Sequence, residues 1–542
     1  MTIQQRWVPS LHPSLEEIGG VLSRLYYPPP NIFSANTFKL YSSKDVPQKT
    51  YLQPIISPPE WNQALSRSPA ENSQKTPIIM ICGPKGSGKS TFAKLLTNRL
   101  LSPSAENNRA VKKPAGLAIL DLDPGQPEYS AQGQLSLTHL NELNFGPPFT
   151  HPIPGSHSRI VRAHTIGAVS PSFDPILYME CVLDLFASYR TLLSTIPKCP
   201  LVINTPGWVL GTGLEILVEL ITKCRPTEVV YMSQDGPQEV VETLREAAKS
   251  TPLVTLPSQG SEYTTRTAAH LRTMQAMSYF HLKPFNQKSL EWDSCPLTSV
   301  APWEVKYSGQ GAGILGIMCY GEQPPASLLL EAINGSLLAI VVVDDMAAIP
   351  GWGAEDEDLT EEGLPGLDSP LQQSQDHGIQ SPLIVHTPEE NIPYFNPANT
   401  ISLSPRHSHC LGLALLRGID IPRQRLQLLT PISPKIIQEI NKEEKSIVLV
   451  SGKLDTPGWA YVEGLVQSDI CEKENRKIKA GDNKGDMERI EEEAVDVVQD
   501  SNEKGKRVQD VPWVEKLKGS QGRGIGGIWR VRRDLGRGTD AE

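Results

Sequence analysis

Cysteine never clusters in this chain. The closest of its eight cysteines, Cys181 and Cys199, stand 18 residues apart, so no CxxC pair exists to hold zinc or run a thiol–disulfide couple, and the usage suits a reducing compartment. No run of 18 apolar residues occurs, and the opening MTIQQRWVPSLHPSLEEIGG has no basic start followed by an apolar stretch. Neither a membrane span nor a secretory leader is expected, which reads as a soluble, intracellular protein. The string RHSH at 406–409 is read as a surface turn in preference to a metal site. An excess of positive charge is also missing, the formal net charge being −10. That balance does not exclude an anionic partner, because two segments generate it. AEDEDLTEEG (354–363) holds six acids and no base, and DMERIEEEAVDVVQDSNE (486–503) holds eight acids and one base. The rest of the chain carries about +3, and both acidic segments read as solvated, disordered insertions.

Proline, by contrast, is plentiful at 47 residues, well above the usual share of about 5%, and it implies long irregular connections. Residues 1–75 are dotted with it, in clusters such as YYPPPN and SPPEW, and read as an irregular N-terminal segment. From 76 to 285 short apolar runs (PIIMIC, GLAILDLD, PLVINTPGW, TEVVYMS) alternate with helical stretches (DPILYMECVLDLFASYRTLL, GLEILVELITK). This alternation predicts an α/β domain: a parallel sheet with flanking helices. From 300 to 542 the runs GILGIMCYG, SLLAIVVVDD, HCLGLALLRGID, SIVLVSGK and WAYVEGL come with turns and little helical periodicity. They predict a smaller β-rich C-terminal domain, interrupted by the acidic insertions near 351–382 and 470–510. Residues 516–537 then supply seven bases against one acid, a positive end suited to RNA phosphates or an acidic protein surface.

The chemistry concentrates in four places. ICGPKGSGKSTF (81–92) reads as G-x-x-x-x-G-K-S between an apolar strand and a helix, the context a P-loop (Walker A) requires. Its residues Gly83, Pro84, Lys85, Gly86, Ser87, Gly88, Lys89, Ser90 and Thr91 are expected to bind a nucleotide triphosphate. Glycines let backbone N–H groups face the phosphates, Lys89 reaches the β and γ groups, and Ser90 ligates Mg²⁺. A guanine-reading N-K-x-D occurs only as NKGD (483–486) inside an acidic insertion, so a GTPase is not expected. In LDLDPGQPEYS the strand ends in Asp121 and Asp123, with Gln126 following. Open α/β sheets place ligands at that strand end. There Asp123 can hold the metal or orient an attacking hydroxyl, and Gln126 can assist; the alternative is that the aspartates, Asp121 above all, merely cap the Pro124–Gly125 turn. In INTPGWVLGTG, Asn204 and Thr205 could contact phosphate, Gly207 admits close backbone approach, and Trp208 is either a stacking face or core. Arg266 and Arg272 fall in YTTRTAAHLRTMQAMSYFHL, a helix that Thr264 or Thr265 would cap. Six residues turn a helix by about 120° net, so both arginines cannot face one phosphate.

GPKGSGKSTF, LDLDPGQPEYS, INTPGWVLGTG, LRTMQAMSYFH and WRVRRDLGRG together resemble the polynucleotide 5′-hydroxyl kinase family, in its fungal-type nucleolar branch that processes ribosomal RNA. The D-x-G-Q at 123–126 followed by T-P-G-W at 205–208 is the specific part. The resemblance implies ATP- and Mg²⁺-dependent phosphorylation of 5′-hydroxyl RNA ends, with an endoribonuclease partner that cuts a pre-rRNA internal transcribed spacer, in the nucleus and nucleolus. By position it implies that Lys89 and Ser90 bind triphosphate and metal, that Asp123 and Gln126 act at acceptor and metal, and that Thr205, Gly207 and Trp208 form an acceptor clasp. Arg266 and Arg272 would lie in a lid. It also implies a β-rich domain ahead of the phosphate loop, of which residues 1–75 would be a truncated or a divergent form. Two alternatives to an RNA kinase stay open: an ATP-binding scaffold that stabilises and licenses the nuclease, and a small-molecule kinase, which the large β-rich half and the basic tail disfavour.

Overall fold

The computed structural model describes residues 57–67, 76–102, 116–155, 158–233, 236–259, 267–283, 290–293, 295–352 and 382–463, with the backbone of β1 (Arg6–Trp7) and β2 (Lys39–Leu40), which pair in parallel. The acidic insertions, NKGD and the basic tail lie outside the described residues.

Four short apolar runs form the centre of the first sheet: β3 (Ile78–Cys82), β4 (Leu117–Asp121), β7 (Leu201–Asn204) and β8 (Glu228–Met232). They are apolar in nearly every position because both faces are covered. Alternate side chains of β3 serve opposite faces. Met80 and Cys82 join one core cluster, and Ile79 and Ile81 join another. The first cluster takes in helices α3 (Pro175–Thr195), α4 (Thr212–Cys224) and α5 (Gln238–Ala248). The second takes in α1 (Pro59–Ser66) and α2 (Lys89–Leu101). The start of α3 shows how such a helix is set: the Asp174 carboxylate accepts from the Leu177 N–H, and Pro175 follows at the first helical position, where its missing N–H costs nothing.

With β5 (Gln134–Leu140), β6 (Arg159–Thr165) and β9 (Leu253–Leu256), the strand order is β6-β5-β4-β7-β3-β8-β9. The pairings from β4 to β9 are parallel, as the α/β reading requires, whereas β5 and β6 run antiparallel at one edge. Their sequences QLSLTHL and RIVRAHT mix polar with apolar residues and so lack the apolar-run signal. Ser136 and Thr138 are nonetheless fully buried.

The β-rich half forms a second sheet in the order β10-β16-β15-β12-β17-β11-β14-β13, comprising β10 (Trp303–Lys306), β11 (Gly316–Cys319), β12 (Leu337–Val343), β13 (Ile384–His386), β14 (Pro393–Phe395), β15 (Ser408–Asp420), β16 (Arg425–Leu429) and β17 (Ser446–Ser451). Strand β12 is buried on both faces. Leu337, Ala339, Val341 and Val343 enter the same cluster as α3 and α4, while Leu338 and Ile340 enter a separate one. The two sheets therefore share a core inside one compact unit. Helix α6 (Ala268–Phe280) belongs to that core through Tyr279 and Phe280.

Two local expectations differ from the structure. In WAYVEGL (459–465) the described residues 459–463 are helical, not a strand, within a helix that starts at 458, directly after the TP dipeptide. SPPEW does not stay irregular either. Pro59 occupies the first position of α1, with Glu60 in its first turn, a start signal that prolines among prolines obscured.

Candidate active site

The phosphate loop leaves the carboxyl end of β3 through left-handed glycines, with φ of +143° at Gly83, +80° at Gly86 and +98° at Gly88. Gly83 has no room for a side chain, since a Cβ there would stand 2.8 Å from the Met232 carbonyl oxygen at the end of β8. Beneath the loop, the fully buried Trp61 of α1 meets Phe92 edge-on at 5.4 Å and donates Nε1 to the Pro257 oxygen at 2.9 Å. The Gln259 N–H donates to the Ser87 oxygen at 3.0 Å. The loop is thus braced from two sides.

Lys89 opens α2 and is only 6% exposed, its Nζ donating to the Pro84 oxygen at 2.9 Å. Burial pulls its pKa down while the Asp123 carboxylate opposes that pull. Ser90 and Thr91 are exposed on the same first turn, and Ser87 is buried with its hydroxyl unpartnered among the described residues. Left-handed glycines, a helix N-terminus, a lysine held over the loop and a free hydroxyl are the donor set that nucleotide phosphates with a divalent metal require. The residues present fit a nucleotide triphosphate with a divalent metal.

Opposite the loop, the two aspartates divide their work. Asp121 is buried and takes three donors, the Glu128 N–H at 2.7 Å, the Asn204 amide at 3.0 Å and the Asp123 N–H at 3.4 Å. Burial pushes its pKa up to about 7 despite those bonds. It pins the strand ends. Asp123 is half-buried, and its Oδ1 accepts the N–H groups of Gly125 at 3.0 Å and Gln126 at 3.2 Å. Asp123 thus caps the Pro124–Gly125 turn, which fixes its rotamer and leaves Oδ2 outside these two bonds. Burial raises the Asp123 pKa, while Lys89, the two backbone donors and Arg272 favour the carboxylate. Gln126 stands half-buried beside it.

At the end of β7, Thr205 is fully buried and donates its hydroxyl to the Ile81 oxygen at 3.0 Å, tying β7 to β3. Asn204 donates to Asp121, leaving its Oδ1 unpartnered among the described residues. Gly207 lies against the phosphate loop, where a Cβ would stand 2.7 Å from the Lys85 Cα. Trp208 is half-buried and folds back over Gly213 of α4. Arg272 sits on α6, paired with Asp455 at 2.6 Å. Arg266 lies outside the described residues, and α6 begins only at Ala268.

A further cluster carried no sequence signal. Glu128 Oε1 is 2.8 Å from Lys94 Nζ, 2.9 Å from His151 Nε2 and 2.8 Å from Asn144 Nδ2. Burial favours the neutral acid there, but Lys94 and His151 overcome it and hold the Glu128 carboxyl at about 2. Ser90, Lys94, Asp121, Glu128, Asn144 and Asn204 line one small pocket beside the phosphate loop. Lys94 lies four residues beyond Ser90, one helical turn along the same face, which is the only trace the sequence offered. His409 of RHSH pairs with Asp344 at 2.9 Å, and among the described residues no cluster of three or more acidic, histidine or cysteine side chains is placed to hold a metal.

A family model described as mRNA cleavage and polyadenylation factor CLP1 P-loop matches residues 83–282. A polynucleotide 5′-hydroxyl-kinase from Gibberella zeae is 41% identical over 94% of this chain and 67% of its own length. One from Aspergillus terreus is 37% identical over 93% of this chain and 65% of its own. The chain thus spans about two thirds of the length of these relatives. Among solved structures, a Clp1p–Pcf11p complex overlaps 70% of this chain and 75% of its own at 15% identity, with a TM-score of 0.42.

Proposed function

The chain belongs to the polynucleotide 5′-hydroxyl-kinase family, and from that premise we propose that it phosphorylates the 5′-hydroxyl ends of RNA with ATP and Mg²⁺. The observation that carries this reading is the meeting of three strand ends: the glycine loop after β3 with Lys89 tied to Pro84, the loop after β7 pressed on it at Gly207, and Asp123 after β4 with Oδ1 fixed by the Gly125 and Gln126 N–H groups. ATP supplies the phosphoryl group and Mg²⁺ the neutralising charge. The residues position and stabilise, which is most of what phosphoryl transfer asks of a protein. Ser90 and Asp123 would hold the metal. Lys89 balances the negative charge that develops on the transferred group. Asp123 Oδ2, left outside the turn bonds that fix Oδ1, would orient the acceptor hydroxyl and accept its proton. Gly207 sets the acceptor loop against the phosphate loop, and Trp208 offers the acceptor strand an apolar edge.

The same reading assigns the chain to pre-ribosomal RNA spacer processing in the nucleolus, beside an endoribonuclease that leaves 5′-hydroxyl ends. The seven bases of residues 516–537 support a macromolecular partner. The test is transfer from γ-labelled ATP to three acceptors: 5′-hydroxyl RNA, the same RNA with a 5′-phosphate, and a free nucleoside. Only the first should label quickly, because remote binding energy aligns the reacting end. Equal labelling of nucleoside and RNA would point to a metabolite kinase. No labelling by a folded, ATP-binding chain supplied with the nuclease would point to a scaffold.

A further inference from the structure

A line of contacts runs from the second sheet into the active site through α6. The loop after β17 carries Asp455, which grips Arg272 by two bonds, Nε to Oδ2 at 2.6 Å and Nη2 to Oδ1 at 3.3 Å. Three residues along α6, on the same face, the buried Gln275 donates Nε2 to the Pro127 oxygen at 2.7 Å and to the Ser130 oxygen at 2.9 Å. Those carbonyls belong to the segment that follows Asp123 and Gln126. One turn further, the Tyr279 hydroxyl donates to the Leu413 oxygen at 3.3 Å and accepts the Leu413 N–H at 3.0 Å, on β15. Phe280 meets Trp459, at the start of the helix that follows Asp455, at 5.9 Å. Helix α6 is therefore fastened both to the second sheet and to the Asp123 segment.

Arg272 is close enough for its charge to favour the Asp123 carboxylate. A guanidinium has five N–H donors in a rigid fork. The side-on grip of Asp455 occupies the Nε–Nη2 edge and leaves both Nη1 hydrogens uncommitted by that pair. We propose that Asp455, contributed by the second sheet, is a positioning residue for phosphoryl transfer: it holds the Arg272 guanidinium with its other edge toward the reacting phosphoryl group beside Asp123. The proposal rests on the kinase reading above. The Asp455 side chain is 36% exposed, and a pair so open adds little stability. Its value lies in fixing a long side chain that would otherwise sample many rotamers.

The test compares Asp455→Asn and Asp455→Glu with the parent chain. Asp455→Asn should lower kcat by about 10- to 100-fold, the usual scale for a misplaced charge-stabilising group. KM for ATP should stay within about two-fold, the thermal midpoint should hold, and Asp455→Glu should recover part of the rate. Affinity for ADP with aluminium fluoride, a mimic of the phosphoryl group in flight, should fall by a similar factor while affinity for ADP alone stays put. In an Arg272→Gln background Asp455→Asn should add no further loss. An unchanged kcat, a matching loss of plain ADP affinity, or full additivity with Arg272→Gln would each overturn the proposal. A parent chain that labels no RNA, yet binds ADP–aluminium fluoride in an Asp455-dependent way, would sink the RNA-kinase reading and leave the role of Asp455 standing.

Discussion

Substituting Gly207 by alanine adds one methyl group where the structure leaves none. The new Cβ would stand 2.7 Å from the Lys85 Cα, 2.8 Å from its N and 3.0 Å from its Cβ, whereas carbon atoms settle about 3.5 to 4.0 Å apart. One of the two loops must retreat by about 1 Å. Neither is free to do so. The phosphate loop is held by the bond from Lys89 to Pro84, by Gln259 on Ser87 and by Gly83 wedged on Met232. The acceptor loop is held by Thr205 on Ile81. Overpacking of this kind costs about 1 to 3 kcal/mol of stability, and a shift of about 1 Å at a reacting centre lowers transfer on the order of 10²-fold. The control is built into the sequence, because TPGW recurs at 456–459, where a Cβ on Gly458 meets nothing within 4 Å. Gly458→Ala should leave rate and stability near the parent values. The assay is single-turnover transfer from γ-labelled ATP to 5′-hydroxyl RNA, with urea unfolding measured on the same preparations. A Gly207→Ala chain with parental turnover and stability would refute the argument that these two loops are pressed together for catalysis.

Lys89→Ala should abolish transfer, since it removes the charge facing the phosphates, while circular dichroism shows the fold retained; turnover near the parent value would mean that the phosphate loop has been misread. Asp123→Asn should depress the chemical step by about 10²-fold or more with ATP affinity little altered; isothermal titration showing lost ATP affinity at parental kcat would make Asp123 a nucleotide ligand instead. Glu128→Gln tests the buried cluster by pH. The folded-state pKa of Glu128 is depressed, so its contribution is present above the ordinary value of about 4.5 and lost as pH falls toward 2, worth about 3 kcal/mol at most. The variant should therefore unfold more easily than the parent at pH 7, with the gap closing toward pH 3; a gap that does not vary with pH counts against the Lys94–Glu128–His151 assignment.

What was legible in the sequence is what is local along the chain. The phosphate loop needs a strand, a glycine-rich turn and a helix in immediate succession, so one short stretch specifies it. The central strands announce themselves because burial on both faces demands uninterrupted apolar residues. The antiparallel edge formed by β5 and β6 gave no such signal, as its polar positions face a core made by distant segments. Trp61 was missed because its role is fixed by contacts with Gly88 and Pro257, the latter 196 residues away along the chain. The pair Arg272–Asp455 spans 183 residues and the bond from Gln275 to Pro127 spans 148. No periodicity encodes contacts of that range.

The two TPGW strings show why a motif alone is a weak argument. The first follows β7, whose parallel neighbours β3 and β4 end at the same level. That alignment brings Gly207 onto the phosphate loop and Asn204 onto Asp121. The second follows β17, which lies between β12 and β11 in the other sheet, and there the same four residues start a helix whose Trp459 meets Phe280. Identical chemistry is thus assigned to phosphate approach in one place and to packing in the other by what the sheet sets beside it. Yet the second string is not inert, because Asp455 directly precedes it and reaches back through Arg272 toward Asp123. The site is assembled by the first sheet, but the second sheet determines where one of its positive charges can point.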